Sequence, residues 1–520
     1  MSAASAGAAG AAPAARNAVH NKGLITVSTM LATIMQVLDT TIANVALPSM
    51  QGSLGASQDQ ISWVLTSYIV AAAIMTPVTG WLSDRFGRRE LFIASAVGFV
   101  VASMLCGIAS SLNEMIVFRL FQGICGASLV PLSQAVLLDI NPKEKHGQAM
   151  AIWGAGIMIG PIIGPTLGGW LTDVFNWRYV FFVNLPIGIL AILGMVATLP
   201  RTERRLRGFD FLGFAMLSIA IGAFQMLLDR GEQEDWFASP EIWIELGLTV
   251  SGLWMFVIHI TGRNNPFMDP KIFKDRNLVT ALVLIFIIGV ILLAGLALLP
   301  PLLQNILGYP VVTTGFVLAP RGVGTMISML VVGRLVSLID ARLLILAGLG
   351  LTAYSLYIMT GFSPIMSDGP IIVSGVVQGL GLGLVMVPLS TLAFATLRPE
   401  QRTDAASLFS LLRNLGSSVG ISIVVTALAQ NTQVNRTELV SKLTPFNMDI
   451  AGMAHGLGVG PETAIALLSS QVSTQAAMIS YLDDFMLMMW ITLAVIPLLL
   501  FLRKPQMGGG KPDPAHVAME

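Results

Sequence analysis

Gly80-Trp81-Leu82-Ser83-Asp84-Arg85-Phe86-Gly87-Arg88-Arg89 lies between two long apolar runs and sets one carboxylate and two glycines among three arginines. A plain basic loop between membrane helices accounts for the arginines but for neither the glycines nor the acid. Glycine permits a tight turn. Asp84, at a helix end beside that turn, can accept charge-assisted hydrogen bonds from a cation or a helix N-terminus. Gly80, Asp84, Arg85, Gly87, Arg88 and Arg89 therefore read as a latch between neighbouring helices. The stretch returns in weakened form as Gly333-Arg-Leu-Val-Ser, shifted by 253 residues, and Gln122-Gly-Ile-Cys-Gly126 returns as Gln378-Gly-Leu-Gly-Leu-Gly383, shifted by 256. About six helices repeat, with two extra ones between the copies near 209–261, and repeats of this kind mark transporters.

The rest of the chain agrees with a lipid-embedded fold. Of 520 residues 54% are hydrophobic and 11% charged, against roughly 25% charged in soluble domains, and the mean hydropathy is +0.77. Apolar windows able to cross ~30 Å of hydrocarbon begin near Leu24, Gln60, Leu91, Asn113, Gly147, Arg178, Phe209, Pro240, Asn277, Pro310, Arg342, Pro370, Thr403 and Tyr481. The expected fold is an all-α integral membrane protein with about fourteen transmembrane helices, two six-helix bundles plus two extra central helices facing a shared cavity. The expected division is a cytoplasmic tail at 1–23, a first bundle at 24–200, the extra pair at 201–262, and a second bundle at 263–505. An outside loop is expected at 431–480 and a disordered tail at 506–520. The alanine-rich start has no clear small-residue cleavage site, so the first helix is expected to be retained.

Assigning loops alternately to the two sides puts 22 of the 29 basic residues on one side and only Arg178, Arg230, Arg436 and Lys442 on the other, with Arg119, Arg321 and Arg413 inside windows. The basic side is cytoplasmic by the positive-inside rule, so both termini are expected there. With 29 basic and 29 acidic residues in balance, no basic stripe for a nucleic acid forms. Cys106 and Cys125 lie in apolar runs and the five histidines stand singly, which excludes a disulfide framework and makes a zinc site improbable. No metal, cofactor or enzymatic chemistry is expected.

Charges inside the windows carry the functional signal. Arg119, in Arg119-Leu-Phe-Gln122-Gly123, costs about 2.5–3.5 kcal/mol to insert at a helix centre, so something must compensate it. The comparable anomaly is Asp39, in Gln36-Val-Leu-Asp39-Thr40-Thr41-Ile-Ala-Asn44, the only acid deep inside a first-half helix. Burial disfavours the charged form of a carboxylate and a nearby cation favours it, so a movement that changes wetting or pairing would change its proton occupancy. Asp39 with Arg119 is the candidate proton-coupling pair; the alternative is a static buried ion pair that only orients two helices. The fifth window carries Gly156, Gly160, Pro161, Gly164, Pro165, Gly168 and Gly169, with glycine every four residues on one face and two prolines that bend the helix. It reads as a grooved surface at which two bundles rock.

Candidate cavity residues are Gln36, Thr40, Asn44 and Gln122 in the first half, Met158 on the Gly-Pro helix, and Gln304, Arg321, Gln378, Phe409, Arg413 and Asn414 in the second. Arg321 and Arg413 either line the cavity or snorkel to an interface. Within the 431–480 loop, Ile465, Leu468, Val472 and Ile479 have helix-like spacing, and the segment is a candidate docking surface.

Leu38 to Pro48, the Gly80 loop, the Arg119 helix and the Gly-Pro helix, in this order, resemble the fourteen-spanner drug:proton antiporters of the major facilitator superfamily, over nearly the whole chain except its tails. The resemblance implies efflux of hydrophobic drugs from the bacterial inner membrane, driven by protons. It also implies a periplasmic adaptor of the EmrA type and an outer-membrane channel of the TolC type as partners. Asp39 takes the place of the family's proton-linked acid, Arg119 of its fourth-helix arginine, 84–89 of its latch, and 160–169 of its antiporter motif. In the second half the latch lacks its Asp-Arg pair, and Gly375 stands where Arg119 would repeat, so coupling is expected to be asymmetric. Rival readings are a proton-coupled importer or exporter of one metabolite and a receptor or scaffold. A primary pump is disfavoured because no G-x-x-x-x-G-K-[ST] loop occurs.

Overall fold

A computed structural model describes residues 21–502 except 203, 205–207, 263–267, 269, 444–457 and 459. The two expected tails lie outside the described residues apart from 21–23. Among the described residues fourteen helices are long and apolar enough to cross a bilayer: α1 (Lys22–Leu54), α2 (Trp63–Phe86), α3 (Arg88–Ile108), α4 (Leu112–Ile140), α5 (His146–Val174), α6 (Tyr179–Thr198), α7 (Phe211–Arg230), α8 (Pro240–Gly262), α9 (Arg276–Ile306), α10 (Val311–Leu335), α11 (Ala341–Met359), α12 (Asp368–Ala395), α13 (Arg402–Lys442) and α14 (Glu462–Phe501). Thirteen begin within three residues of the expected starts, because apolar composition and the end signals around it fix them. α2 and α3 are separated by Gly87 alone, at φ +94, a backbone conformation that glycine adopts without strain.

The last pair departs from expectation. Most of 431–480 is helix rather than loop: α13 runs 41 residues to Lys442, and α14 begins just after Gly460-Pro461. At ~1.5 Å per residue α13 is about 60 Å long, twice the hydrocarbon thickness. Its polar end, Gln430 to Lys442, contains neither glycine nor proline to stop the helix. The two extensions pair through Asn435 Nδ2, which donates to Ser480 Oγ at 3.0 Å. The buried face of the α14 extension is Ala464, Val472 and Ala476, whereas Ile465 and Ile479, expected on it, are exposed.

Helices α1 to α6 pack among themselves, chiefly α1 on α5 and α6, and α3 and α2 on α4; α9 to α14 do the same through α9–α13, α10–α12 and α11–α12. The halves meet along two seams, α5 against α10 and α2 and α4 against α13. The seams are related by the internal repeat. A Cβ on Gly80 of α2 would overlap the Asp404 carboxylate of α13, and one on Gly333 of α10 would overlap Ala151 of α5. The same shift of 253 residues relates 80 to 333 and 151 to 404. The extra helices α7 and α8 pack on each other beside the second seam. There α7 ties both halves together, through Thr66 donating to Asp229 on one side and Gln225 Nε2 donating to Ser418 Oγ at 2.9 Å on the other.

Candidate functional site

The intramembrane acid and arginine are brought together. Arg119 Nη1 donates to Asp39 Oδ2 at 2.7 Å, with Arg119 0% and Asp39 1% exposed. The other carboxylate oxygen, Oδ1, accepts from Gln122 Nε2 and from Asn184 Nδ2, both at 2.8 Å. Arg119 also donates to Gln122 Oε1 at 2.8 Å and through Nε to the carbonyl oxygen of Val64 at 3.0 Å, and its guanidinium sits 4.5 Å from the centre of the Tyr68 ring. Asn184 is steered by Ser103, whose hydroxyl donates to the Phe181 carbonyl. Five helices, α1, α2, α3, α4 and α6, thus close one dry network in which the ion pair is offset by fixed dipoles. Gln122, expected in the cavity, belongs to this network. Asn184, Ser103 and Tyr68 were not singled out from sequence, because a lone amide or hydroxyl in an apolar run carries little signal.

The glycine row connects that network to the seam. Gly160, Gly164 and Gly168 face α1: a Cβ on Gly160 would lie 3.1 Å from the Leu38 nitrogen, next to Asp39, one on Gly164 would overlap Thr41, and one on Gly168 would lie 3.3 Å from Ile42 Cα. Gly156 meets Met30, and Gly169 faces Val311 of α10 instead. Pro161 has no N–H to offer the Ile157 carbonyl, and the helix is interrupted at Met158. On its other side α5 meets α10, with Ile162 against Gly322 and Thr166 against Gly315. The row has a second-half counterpart that sequence reading passed over: Gly416 and Gly420 in α13 approach the carbonyl oxygens of Phe286 and Val290 in α9 so closely that a Cβ would overlap them.

At the basic end of the bundle the latch residues meet partners absent from the motif. Arg88 pairs with Asp139 of α4, which also accepts from Arg402 Nη1 of α13 at 2.7 Å, so one carboxylate links the halves. Arg89 Nη2 donates to the Val196 carbonyl at 2.7 Å, Asp84 is half-buried, and Arg85 is exposed.

The candidate cavity residues do not converge on one site. Met158, Phe409 and Arg413 line one narrow, partly open cleft between α5, α10, α12 and α13 with Met150, Met329 and Met386, with a cavity volume of about 20 Å³. Gln36 and Gln304 are half-buried, Thr40 donates to the Val37 carbonyl of its own helix, Asn44 is exposed, and Asn414 is half-buried. Arg321 and Gln378 are buried beside each other inside the second half. Asp484 of α14 is also buried, with both carboxyl oxygens unpartnered. It lies in the last apolar window, where an acid in hydrocarbon is the same sequence signal that marks Asp39.

Two repeated helical halves, two seams and a buried ion pair beside one of them define a polytopic membrane protein of transporter architecture. Residues 29–421 match the model of the Major Facilitator Superfamily, and the chain belongs to that family. It is 36% identical over 501 residues to Multidrug export protein EmrB of Escherichia coli (strain K12), covering 95% of this chain and 98% of that protein. It is 35% identical over 492 residues to Fatty acid resistance protein FarB of Neisseria gonorrhoeae, covering 94% and 97%. The crystal structure of the human organic anion transporter MFSD10 (TETRAN) shares the fold, with a TM-score of 0.59 at 14% identity, over 91% of this chain and 99% of that one.

Proposed function

We propose that the chain is a proton-coupled multidrug antiporter of the bacterial inner membrane, exporting hydrophobic toxic compounds by alternating access with both termini in the cytoplasm. The observation that carries the reading is the sealed Asp39–Arg119 pair with α1 pressed into the glycine row of α5, whose other side forms the seam with α10. Protonation of Asp39 removes the charge that compensates Arg119, so the network loses its main attraction and α1 is freed to shift against α5. Because α5 also forms the seam, that shift changes how the halves fit, and seam opening in turn wets Asp39. Proton occupancy and the direction of opening are thereby linked. In this reading Gly156, Gly160, Pro161, Gly164, Pro165 and Gly168 form the surface on which α1 shifts against α5, while Gly169 faces α10 in loose contact. Gly80, Asp84, Arg85, Gly87, Arg88 and Arg89 hold the cytoplasmic end shut through Asp139, Arg402 and Asp404.

Methionine side chains adapt to differently shaped apolar guests, so Met150, Met158, Met329, Met386 and Phe409, which line a narrow cleft between the halves, suit a broad set of lipophilic drugs once the seam parts. Similarity to relatives named for multidrug export supports the same cargo class. The paired extensions of α13 and α14 expose Val434, Val440, Ile465 and Leu467, apolar side chains suited to a periplasmic adaptor of the EmrA type that leads to an outer-membrane channel of the TolC type. The test is reconstitution into proteoliposomes with an imposed pH gradient and a panel of lipophilic compounds. Uphill movement of several of them, each accompanied by opposite proton flux, is expected. Transport of a single metabolite, or transport indifferent to the gradient, would overturn the reading.

A further inference from the structure

Arg321 stands in the middle of α10 with 6% of its surface exposed. Its Nη2 donates to the Leu292 carbonyl of α9 at 3.1 Å, and its Nη1 has no partner. Beside it on α12, Gln378 is 1% exposed, and neither its amide nitrogen nor its amide oxygen has a partner. Gly295 of α9 completes the group: a Cβ there would lie 3.5 and 3.6 Å from the two terminal guanidinium nitrogens and 3.8 Å from Gln378 Nε2. Among the described residues no carboxylate pairs with Arg321. A cation taken out of water without a counter-charge, next to an amide without a partner, is a strongly unfavourable arrangement for a protein to keep.

The internal repeat says what is missing. The shift of 256 residues carries Asp39, Arg119 and Gln122 onto Gly295, Gly375 and Gln378. The first half closes its set with its own carboxylate. In the second half both charged positions are glycine, and Arg321 enters over Gly375, whose Cβ would lie 3.4 Å from Arg321 Cβ. A guanidinium and a carboxamide thus recur at the equivalent place, and only the acid is absent. We infer that Arg321 and Gln378 form a binding site for the carboxylate of a lipophilic acid, the ligand supplying what Asp39 supplies in the other half. Arg321 Nη1 and Gln378 Nε2 are its free donors, and Gly295 sets no side chain between them. The neighbour of Arg321, Gly322, lies against Ile162 of α5, so the site is one helix layer from the seam and comes within reach when the seam parts. The inference rests on the export reading and deepens it by naming a class of cargo.

The test uses the full-length protein in detergent micelles, with equilibrium dialysis of naphthalene-1-carboxylate and of neutral naphthalene-1-methanol against empty micelles. Arg321→Gln and Gly295→Asp are expected to weaken carboxylate binding at least tenfold and to leave the alcohol within twofold. Gly295→Asp rebuilds the internal ion pair, so its thermal unfolding midpoint should match or exceed that of the unsubstituted protein. It carries the test if Arg321→Gln fails to fold. Unchanged carboxylate affinity in Gly295→Asp, or equal loss of acid and alcohol, overturns the inference. Stabilisation by chloride that both variants abolish while carboxylate binding persists also overturns it, since the site would then hold an inorganic anion. Gradient-driven export of the neutral alcohol in proteoliposomes is measured in parallel. Its absence in the unsubstituted protein sinks the export reading and leaves the dialysis result to judge the site alone.

Discussion

Replacing Asp139 by Asn tests whether one carboxylate holds the basic ends of the halves together. Asp139 receives Arg88 from its own half and Arg402 from the other, and the Arg402 side chain is 7% exposed against 30% for Asp139. Breaking a fully buried pair by removing one partner costs about 3–5 kcal/mol. Partial exposure of the acid screens the interaction, so about half, ~1.5–2.5 kcal/mol, is the expected loss. At ~1.36 kcal/mol per factor of ten, the closed state should lose about ten- to seventyfold against states open at this end. The assay is pulsed electron–electron spectroscopy between spin labels at Phe86 and Leu338, which are exposed at this end on opposite halves. Asp139→Asn should broaden and lengthen the distance distribution, Asp139→Glu should leave it nearly unchanged, and the Asp139→Asn, Arg402→Gln double substitution should be milder than the sum of its parts, because it leaves no orphaned charge at Arg402. A distribution in Asp139→Asn that superimposes on the unsubstituted one would refute the reasoning.

Two further outcomes follow from the same packing. Gly160→Ala sets a Cβ 3.1 Å from the Leu38 nitrogen and 3.2 Å from the Val37 carbonyl carbon, backbone that must yield by a few tenths of an ångström, whereas Gly169→Ala meets only Val311 Cγ1 at 3.7 Å. The first should lose about 1–3 kcal/mol of stability and most of its export rate, and the second neither; thermal unfolding and proteoliposome export check the pair, and equal behaviour counts against the rocking surface. Deleting 438–471 should leave transport by the purified protein intact and reduce co-purification of an EmrA-type adaptor to below a tenth. Adaptor recovered at full yield would remove the paired extensions as a docking surface.

Much of the fold is legible because lipid leaves few alternatives: an apolar window must be a helix, and its ends are marked by charge, glycine and proline. The exception, 431–480, shows the limit. Its polar composition says where the membrane stops, but a helix stops only at a breaker or a cap, and none lies between Gln430 and Lys442. Asp39 and Arg119 were readable because a charge in hydrocarbon demands a partner, yet Asn184 and Ser103, which orient that partner, are ordinary residues for a membrane helix. Asp139 and Arg402 are separated by 263 residues, and nothing local announces that two polar residues at helix ends belong to one bridge. Gly295 illustrates the opposite case, since its meaning comes from the repeat and becomes visible only when Arg321 is found over Gly375.

The central claim, that Asp39 couples proton movement to export, is tested most directly with Asp39→Asn in proteoliposomes. The amide keeps the shape of the carboxylate and can still accept from Arg119, but it cannot gain or lose the proton. Under an imposed pH gradient the unsubstituted protein should accumulate a neutral lipophilic drug against its own gradient while protons flow the other way. The variant should do neither, and should still exchange labelled for unlabelled drug at equal concentrations on both sides. Full uphill accumulation by Asp39→Asn would contradict the account.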